Sequence, residues 1–175
     1  MTIVDERTMR APVGACFIAA SDVERWPAIL PHYRVVRFHA HSGDEGRVEM
    51  AAYRDFGLFR WPTWWLSAMR IDRDEPAVHY THVEGITRGM VVKWSFAPRA
   101  GGHTHVSITH AWDGPPWPLI GGLAWRLVIA PIFVSAIARR TLAGVAQAAE
   151  HSASREATGS PPHDVEPARP RNATP

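Results

Sequence analysis

Histidine is the side chain whose ordinary pKa lies close to neutrality, which suits it to taking and returning protons. The chain has ten histidines in 175 residues, and two of them fall in phase with apolar neighbours. His82 alternates with Val78, Tyr80 and Glu84, and His110 with Val106, Ile108 and Trp112. Two further alternating runs contribute Trp65, Ser67, Met69 and Ile71, then Met90, Val92, Trp94 and Phe96. Arg70, His79, Lys93, Ser95, His105, Ser107 and Thr109 take the opposite sides, as period-two strands require. One face is thus apolar yet studded with His82, His110, Ser67 and Glu84. Each buried polar group costs roughly 1–3 kcal/mol unless it finds a partner, so a face built only for packing would carry fewer of them. The two imidazoles read as a general base and a general acid, with Glu84 orienting one of them or contacting ligand. The other reading is that His82, His110 and Glu84 satisfy one another at the edge of a core. Their joint placement on one face favours a ligand-facing role.

Other chemistries have less support. His39 and His41 share a face, as do His103 and His105, but both pairs sit on the solvent side near strand ends without a third ligand at a recognisable spacing, so no metal is expected. There is no glycine-rich phosphate loop and no serine elbow, and no cofactor is implied. Cys16 is the sole cysteine, which excludes an internal disulfide and suits a buried structural thiol. Nineteen basic against seventeen acidic residues leave a net charge of +2, too little for a surface built to hold phosphate backbones, so nucleic acid is not expected as a partner. Eight tryptophans suit either an ordinary core or the wall of a site for hydrophobic ligands. The charged N-terminal stretch lacks the apolar centre of a secretory signal, and a cytoplasmic location is expected.

The elements that must position these residues follow from punctuation and period. Residues 3–10 alternate as a strand, Ala11-Pro12 interrupts, and 13–20 carry a short helical pattern. Ser21-Asp22 is placed to cap a second short helix over 23–30, with Pro27 in its first turn and Pro31 ending it. Six strands are expected over 35–41, 47–53, 63–72, 77–84, 90–97 and 103–113, joined by short Gly-, Asp- and Pro-containing links. No helical period intervenes, so the sheet is antiparallel.

Residues 117–150 then read as a long helix that fills the sheet's concavity, kinked or split at Pro131. The run 117–138 is apolar apart from Arg126 and Ser135, and a membrane-spanning helix is weighed for it. Arg126 near its middle, Pro131, and a sheet left without a lid count against spanning, while contact with a membrane surface stays open. At 175 residues and 46% hydrophobic the chain is expected to form one domain, over 1–150, and 151–175, rich in Pro, Ala, Ser and Arg, read as a disordered tail.

This order of elements, together with the segment Asp22-Val23-Glu24-Arg25-Trp26-Pro27-Ala28-Ile29-Leu30-Pro31-His32-Tyr33, resembles the polyketide cyclase/dehydrase and lipid-transport branch of the START-like (SRPBCC) superfamily. Val83-Glu84-Gly85 and Lys93-Trp94-Ser95-Phe96 extend the likeness. The resemblance implies an α+β helix-grip fold of the Bet v 1/START type: a curved seven-stranded antiparallel sheet, two short helices and a long C-terminal helix. It implies a pocket at Trp26, Tyr33, Ser67, Met69, His82, Trp94 and His110, with Trp65, Tyr80 and Glu84 added by strand phase. Where the related aromatase/cyclases carry an arginine two residues after the serine, this chain has Met69, and Arg70 points to the other face. If the protein is an enzyme, His82, His110, Tyr33 and Ser67 are its catalytic set, the last two donating hydrogen bonds to carbonyl oxygens during cyclisation or dehydration of a β-keto or polyene-like chain. An acyl carrier protein or ketosynthase is then an expected partner. The alternative is a carrier of a lipid, isoprenoid or quinone with no catalysis.

Overall fold

The computed structural model describes residues 1–56, 59–114 and 130–159. Strand β1 (Thr2–Met9) leads through Pro12 into helix α1 (Val13–Ser21). Helix α1 buries Cys16, Phe17 and Ala20, a one-sided spacing that lays it against the core. Burial pushes the Cys16 thiol above its ordinary pKa, which suits a structural and unreactive sulfur. The helix expected over 23–30 is instead a 3-10 turn, Val23–Arg25, followed by the four-residue α2 (Trp26–Ile29). The expected cap does not form: the Ser21 hydroxyl donates back to the Ile18 carbonyl at 3.4 Å, and the Asp22 side chain makes no capping bond. Pro27 stands in the first turn of α2, where its missing N–H is not needed.

Six strands follow: β2 (Tyr33–Ser42), β3 (Glu45–Phe56), β4 (Phe59–Asp72), β5 (Ala77–Gly85), β6 (Val91–Arg99) and β7 (His103–Ala111). They join β1 in one curved antiparallel sheet of order β1-β7-β6-β5-β4-β3-β2. Helix α3 (Ala130–Ala157) closes the inner face. Its buried residues Val134, Ala138, Leu142, Val145, Ala146 and Ala149 recur every three or four positions, which makes one continuous apolar stripe. Two polar ties moor this helix to the first strand and to the residue that follows it. Arg139 Nε lies 3.1 Å from the buried Asp5 carboxylate, and the Arg10 backbone N–H donates to Glu150 at 2.9 Å.

Helix α3 passes Glu150 and ends at Ala157, so residues 151–157, expected in the disordered tail, are helical. No proline or glycine interrupts that stretch until Gly159, whose φ of +65° is the usual left-handed helix terminator. Pro131 stands at the second position of the described helix, so the kink expected there falls at the edge of the described residues. The expectations for 117–129, Arg126 included, and for 160–175 lie outside the described residues.

Among the described residues, strict alternation breaks at three single-residue bulges, and each one moves side chains to a new face. On β2, Tyr33 pairs with Ala52 and Val35 with Ala51, which leaves Arg34 as the extra residue and turns Tyr33 inward. A second bulge at His39 separates the histidine pair expected to share a face: His39 bonds Glu49 at 2.7 Å, while His41 stacks on Phe38 with ring centroids 4.5 Å apart. The third lies on β5, where Ser67 pairs with His82 but Leu66 pairs with Glu84, so Val83 is extra.

Candidate functional site

Between the inner face of the sheet and α3 lies a cavity of about 70 Å³. Its walls include Trp26, Tyr33, Trp65, Tyr80, His82, Trp94 and His110, seven of the ten residues singled out in the sequence. Of the other three, Ser67 and Met69 are buried on the same inward face but do not line the cavity. Glu84 is exposed. That corrects the expectation from strand phase, because the Val83 bulge reverses Glu84 relative to His82, and a carboxylate on the solvent side orients no buried imidazole.

The aromatic walls are continuous. Trp26 meets Trp94 at 5.8 Å and Tyr33 edge-on at 5.1 Å; Tyr33 meets Trp65 at 6.1 Å; and Trp65 stacks on His82 at 5.9 Å with 20° between planes. Such edge and stacked contacts each add about 0.5–1.5 kcal/mol beyond area burial and fix the rings. Trp26 is held further by its indole N–H, which donates to the Ala19 carbonyl at 3.2 Å. The short helix therefore sets the position of this ring.

The polar groups are few and individually placed. His82 Nδ1 lies 2.6 Å from Thr87 Oγ1. The turn after β5 makes that contact possible, since Gly89 N–H donates to His82 O and His82 N–H to Met90 O, both at 2.8 Å, folding Thr87 back over the ring. Gly85 allows the turn: its φ is +91°, and a Cβ there would stand 2.6 Å from Trp65 Cα and closer still to the Trp64 carbonyl oxygen. Tyr80 is only 4% exposed, and its hydroxyl has no hydrogen-bond partner among the described residues. Burial, reinforced by Tyr33, holds this phenol well above its ordinary pKa, so it stays protonated as a donor. The Ser67 hydroxyl is likewise buried without a partner among the described residues.

Several wall residues were not singled out as site residues from the sequence. Met50 arrives from β3, Thr87 from the turn, and Val134, Ile137, Ala138 and Thr141 from α3. The helical ones follow from the apolar stripe once it is known which stripe faces the sheet. Thr87 carried no strand phase by which to place it. Met50 and Met90 give the wall two flexible thioethers, the side chains that most readily adapt to a ligand's shape. Among the described residues the wall contains no Lys, Arg, Asp or Glu. Arg70 lies on the outer face, 3.3 Å from Asp72.

Comparison with known proteins gives a consistent picture. The family described as polyketide cyclase/dehydrase and lipid transport matches residues 9–133. Among solved structures, TTHA0849 from Thermus thermophilus superposes with a TM-score of 0.73 at 22% identity, covering 87% of this chain and 99% of that one. The Zhui aromatase/cyclase from Streptomyces sp. R1128 gives 0.66 at 18% identity, with 90% and 95% covered. A START superfamily protein from Mycobacterium smegmatis gives 0.60 at 15%, with 89% and 98% covered. At these identities the likeness establishes the helix-grip fold. A search of curated protein sequences finds no match.

Proposed function

This chain belongs to the polyketide cyclase/dehydrase and lipid-transport family, and we propose that it encloses an oxygen-bearing, mostly apolar chain of the β-keto type and promotes its cyclisation or dehydration. The observation that carries this reading is the aromatic cavity whose polar groups include His82, His110 and the Tyr80 hydroxyl, which is buried without a hydrogen-bond partner among the described residues. A carbon between two carbonyls is acidic enough for an imidazole to deprotonate. In the proposed arrangement, His82 takes that proton, oriented through Nδ1 by Thr87, while Tyr80 donates a hydrogen bond to the carbonyl oxygen where charge develops. The new carbon–carbon bond leaves an alkoxide that takes the proton back from the His82 imidazolium; His82 then accepts a second α-proton while His110, as the imidazolium, protonates the departing hydroxyl, which leaves as water with a carbon–carbon double bond formed. Walls that hold the folded conformer add to the rate, because well-oriented intramolecular reactions gain up to roughly 7–11 kcal/mol. The cavity of about 70 Å³ is below the roughly 300–1,000 Å³ of sites for drug-sized ligands, so binding must displace wall side chains, with Met50 and Met90 the most compliant.

Incubation with a poly-β-ketone released in situ by a synthase tests the proposal. Cyclised or dehydrated product that depends on the protein, and is lost in His82→Ala and His110→Ala, is expected. An unchanged product pattern over several chain lengths contradicts catalysis.

A second reading is favoured by one specific feature, Met69 in the place where the related cyclases carry an arginine. With no cation in the described wall to polarise a carbonyl, the same cavity suits a carrier of a lipid, isoprenoid or quinone. Co-purified lipid in an organic extract, with His82→Ala retaining it, would support the carrier.

A further inference from the structure

The chemistry proposed above charges His82 twice, each time in a cavity whose described wall contains no Asp or Glu. An imidazolium in apolar surroundings is disfavoured unless a neighbouring group compensates its charge. The carboxylate expected in that role, Glu84, is exposed to solvent. The titratable groups that share the described wall with His82 are His110, Tyr80 and Tyr33, and an imidazole or a phenol supplies no negative charge near neutrality.

What His82 has instead is the face of an indole. Its ring stacks on Trp65 with centroids 5.9 Å apart and 20° between planes, and both side chains are buried. Strand pairing brings the two together. Trp65 stands opposite Gly85, which has no side chain, and His82 stands opposite Ser67, which has a small one, so the rings meet where neither cross-strand partner is bulky. Each ring is also held from outside the pair: Tyr33 packs edge-on against the indole at 6.1 Å, and Thr87 Oγ1 lies 2.6 Å from the imidazole Nδ1. An indole face is the negative side of the ring quadrupole and attracts a cation within about 6 Å of its centroid.

We propose that Trp65 is a positioning residue for the reaction, its indole face stabilising the His82 imidazolium in the place of a carboxylate and so making His82 a stronger base. Trp65 acts on the chemistry through His82. An indole carries no net charge, so the cavity stays apolar toward its ligand while His82 is neutral, and the attraction appears only when the ring takes up a proton. This role rests on His82 as the base proposed above, but it is tested on ligand-free protein, where it holds or fails independently of turnover.

The test is a proton NMR titration of the His82 ring, its resonances assigned by their absence from His82→Gln. Removing the indole has two effects of opposite sign. Loss of packing alone lets water reach the ring, which favours the charged form and moves the titration midpoint to higher pH. Loss of the cation–π contact disfavours the charged form and moves the midpoint to lower pH. In Trp65→Leu the proton affinity of His82 is expected to fall roughly three- to thirtyfold. Replacing tryptophan throughout by a fluorinated analogue, which weakens the quadrupole at nearly constant shape, should lower the midpoint as well. Phe96→Leu, which removes an aromatic ring outside the described cavity wall, should leave it in place. A midpoint at or above that of the wild type in either Trp65→Leu or the fluorinated protein overturns the role. Lowered midpoints together with full turnover by His82→Gln would leave the contact standing and overturn His82 as the base, and with it the part of Trp65 in the reaction.

Discussion

Replacing Tyr80 by phenylalanine removes one oxygen atom from the wall of the cavity and nothing else. In most cores the loss of a hydroxyl destabilises, because a hydrogen bond goes with it. Here the Tyr80 hydroxyl is buried and has no partner among the described residues, so folding strips it of water without replacement. Burying a polar group in that way costs about 1–3 kcal/mol, and Tyr80→Phe should recover a part of it, about 1 kcal/mol. For a chain of this size that corresponds to a rise in Tm of roughly 2–4 °C. Differential scanning calorimetry of the ligand-free protein reads this directly. The same variant should bind a β-keto or long-chain ketone ligand about three- to tenfold more weakly, since the hydrogen bond the hydroxyl is reserved for is lost. A fall in Tm of several degrees would show that the hydroxyl is satisfied in the protein. Unchanged ligand affinity would show that it does not face the ligand's oxygen.

Four further outcomes follow from particular contacts. Gly85→Ala should destabilise by about 1–3 kcal/mol from backbone strain alone, with the collision against Trp64 adding to it, as read from urea unfolding followed by tryptophan emission. Thr87→Val should leave stability within about 1 kcal/mol but reduce any His82-dependent turnover, because the ring loses its 2.6 Å contact at Nδ1; equal turnover would remove Thr87 from the proposed chemistry. Leu142→Ala, which empties a fully buried position of the closing helix, should cost about 2–5 kcal/mol in the same unfolding assay. The Glu49 carboxylate is pulled from 4.5 down to about 2, first by His39, then by Trp64 and Arg37. A depressed folded-state pKa contributes stability that is present above the unfolded value and lost as pH falls through the folded one. The wild type should therefore lose urea resistance between pH 5 and pH 2 more steeply than Glu49→Gln, and parallel curves would contradict the assignment.

The sequence carried the architecture because its signals were of the durable kind. Period-two runs between turn residues located all six strands after the helical entry, and the stripe of α3 is explicit in its spacing. The inner face of β4, β6 and β7 was legible for the same reason. What escaped was anything dependent on one extra residue. Bulges at Arg34, His39 and Val83 leave composition and polarity unchanged, yet each inverts the phase that follows. Glu84 looked inward and faces solvent, while Tyr33, which had seemed to lie outside the regular strands, is the inward first residue of β2. Thr87 and Thr141 were invisible as site residues because their roles depend on how a glycine turn folds back and how α3 is rotated. The stacking of Trp65 on His82 joins two strands at the point where the Val83 bulge resets their register, a juxtaposition only the folded state displays.

Enclosure of an apolar ligand against Trp26, Trp65 and Trp94 is the central claim, and fluorescence quenching tests it most directly. Titration with a long-chain ketone bearing bromine near its middle should quench tryptophan emission saturably at one equivalent, because a heavy atom held in the cavity touches several indoles at once. The unbrominated ketone should restore the emission by competition. Quenching that rises linearly with concentration, with no saturation and no competition, would contradict the account.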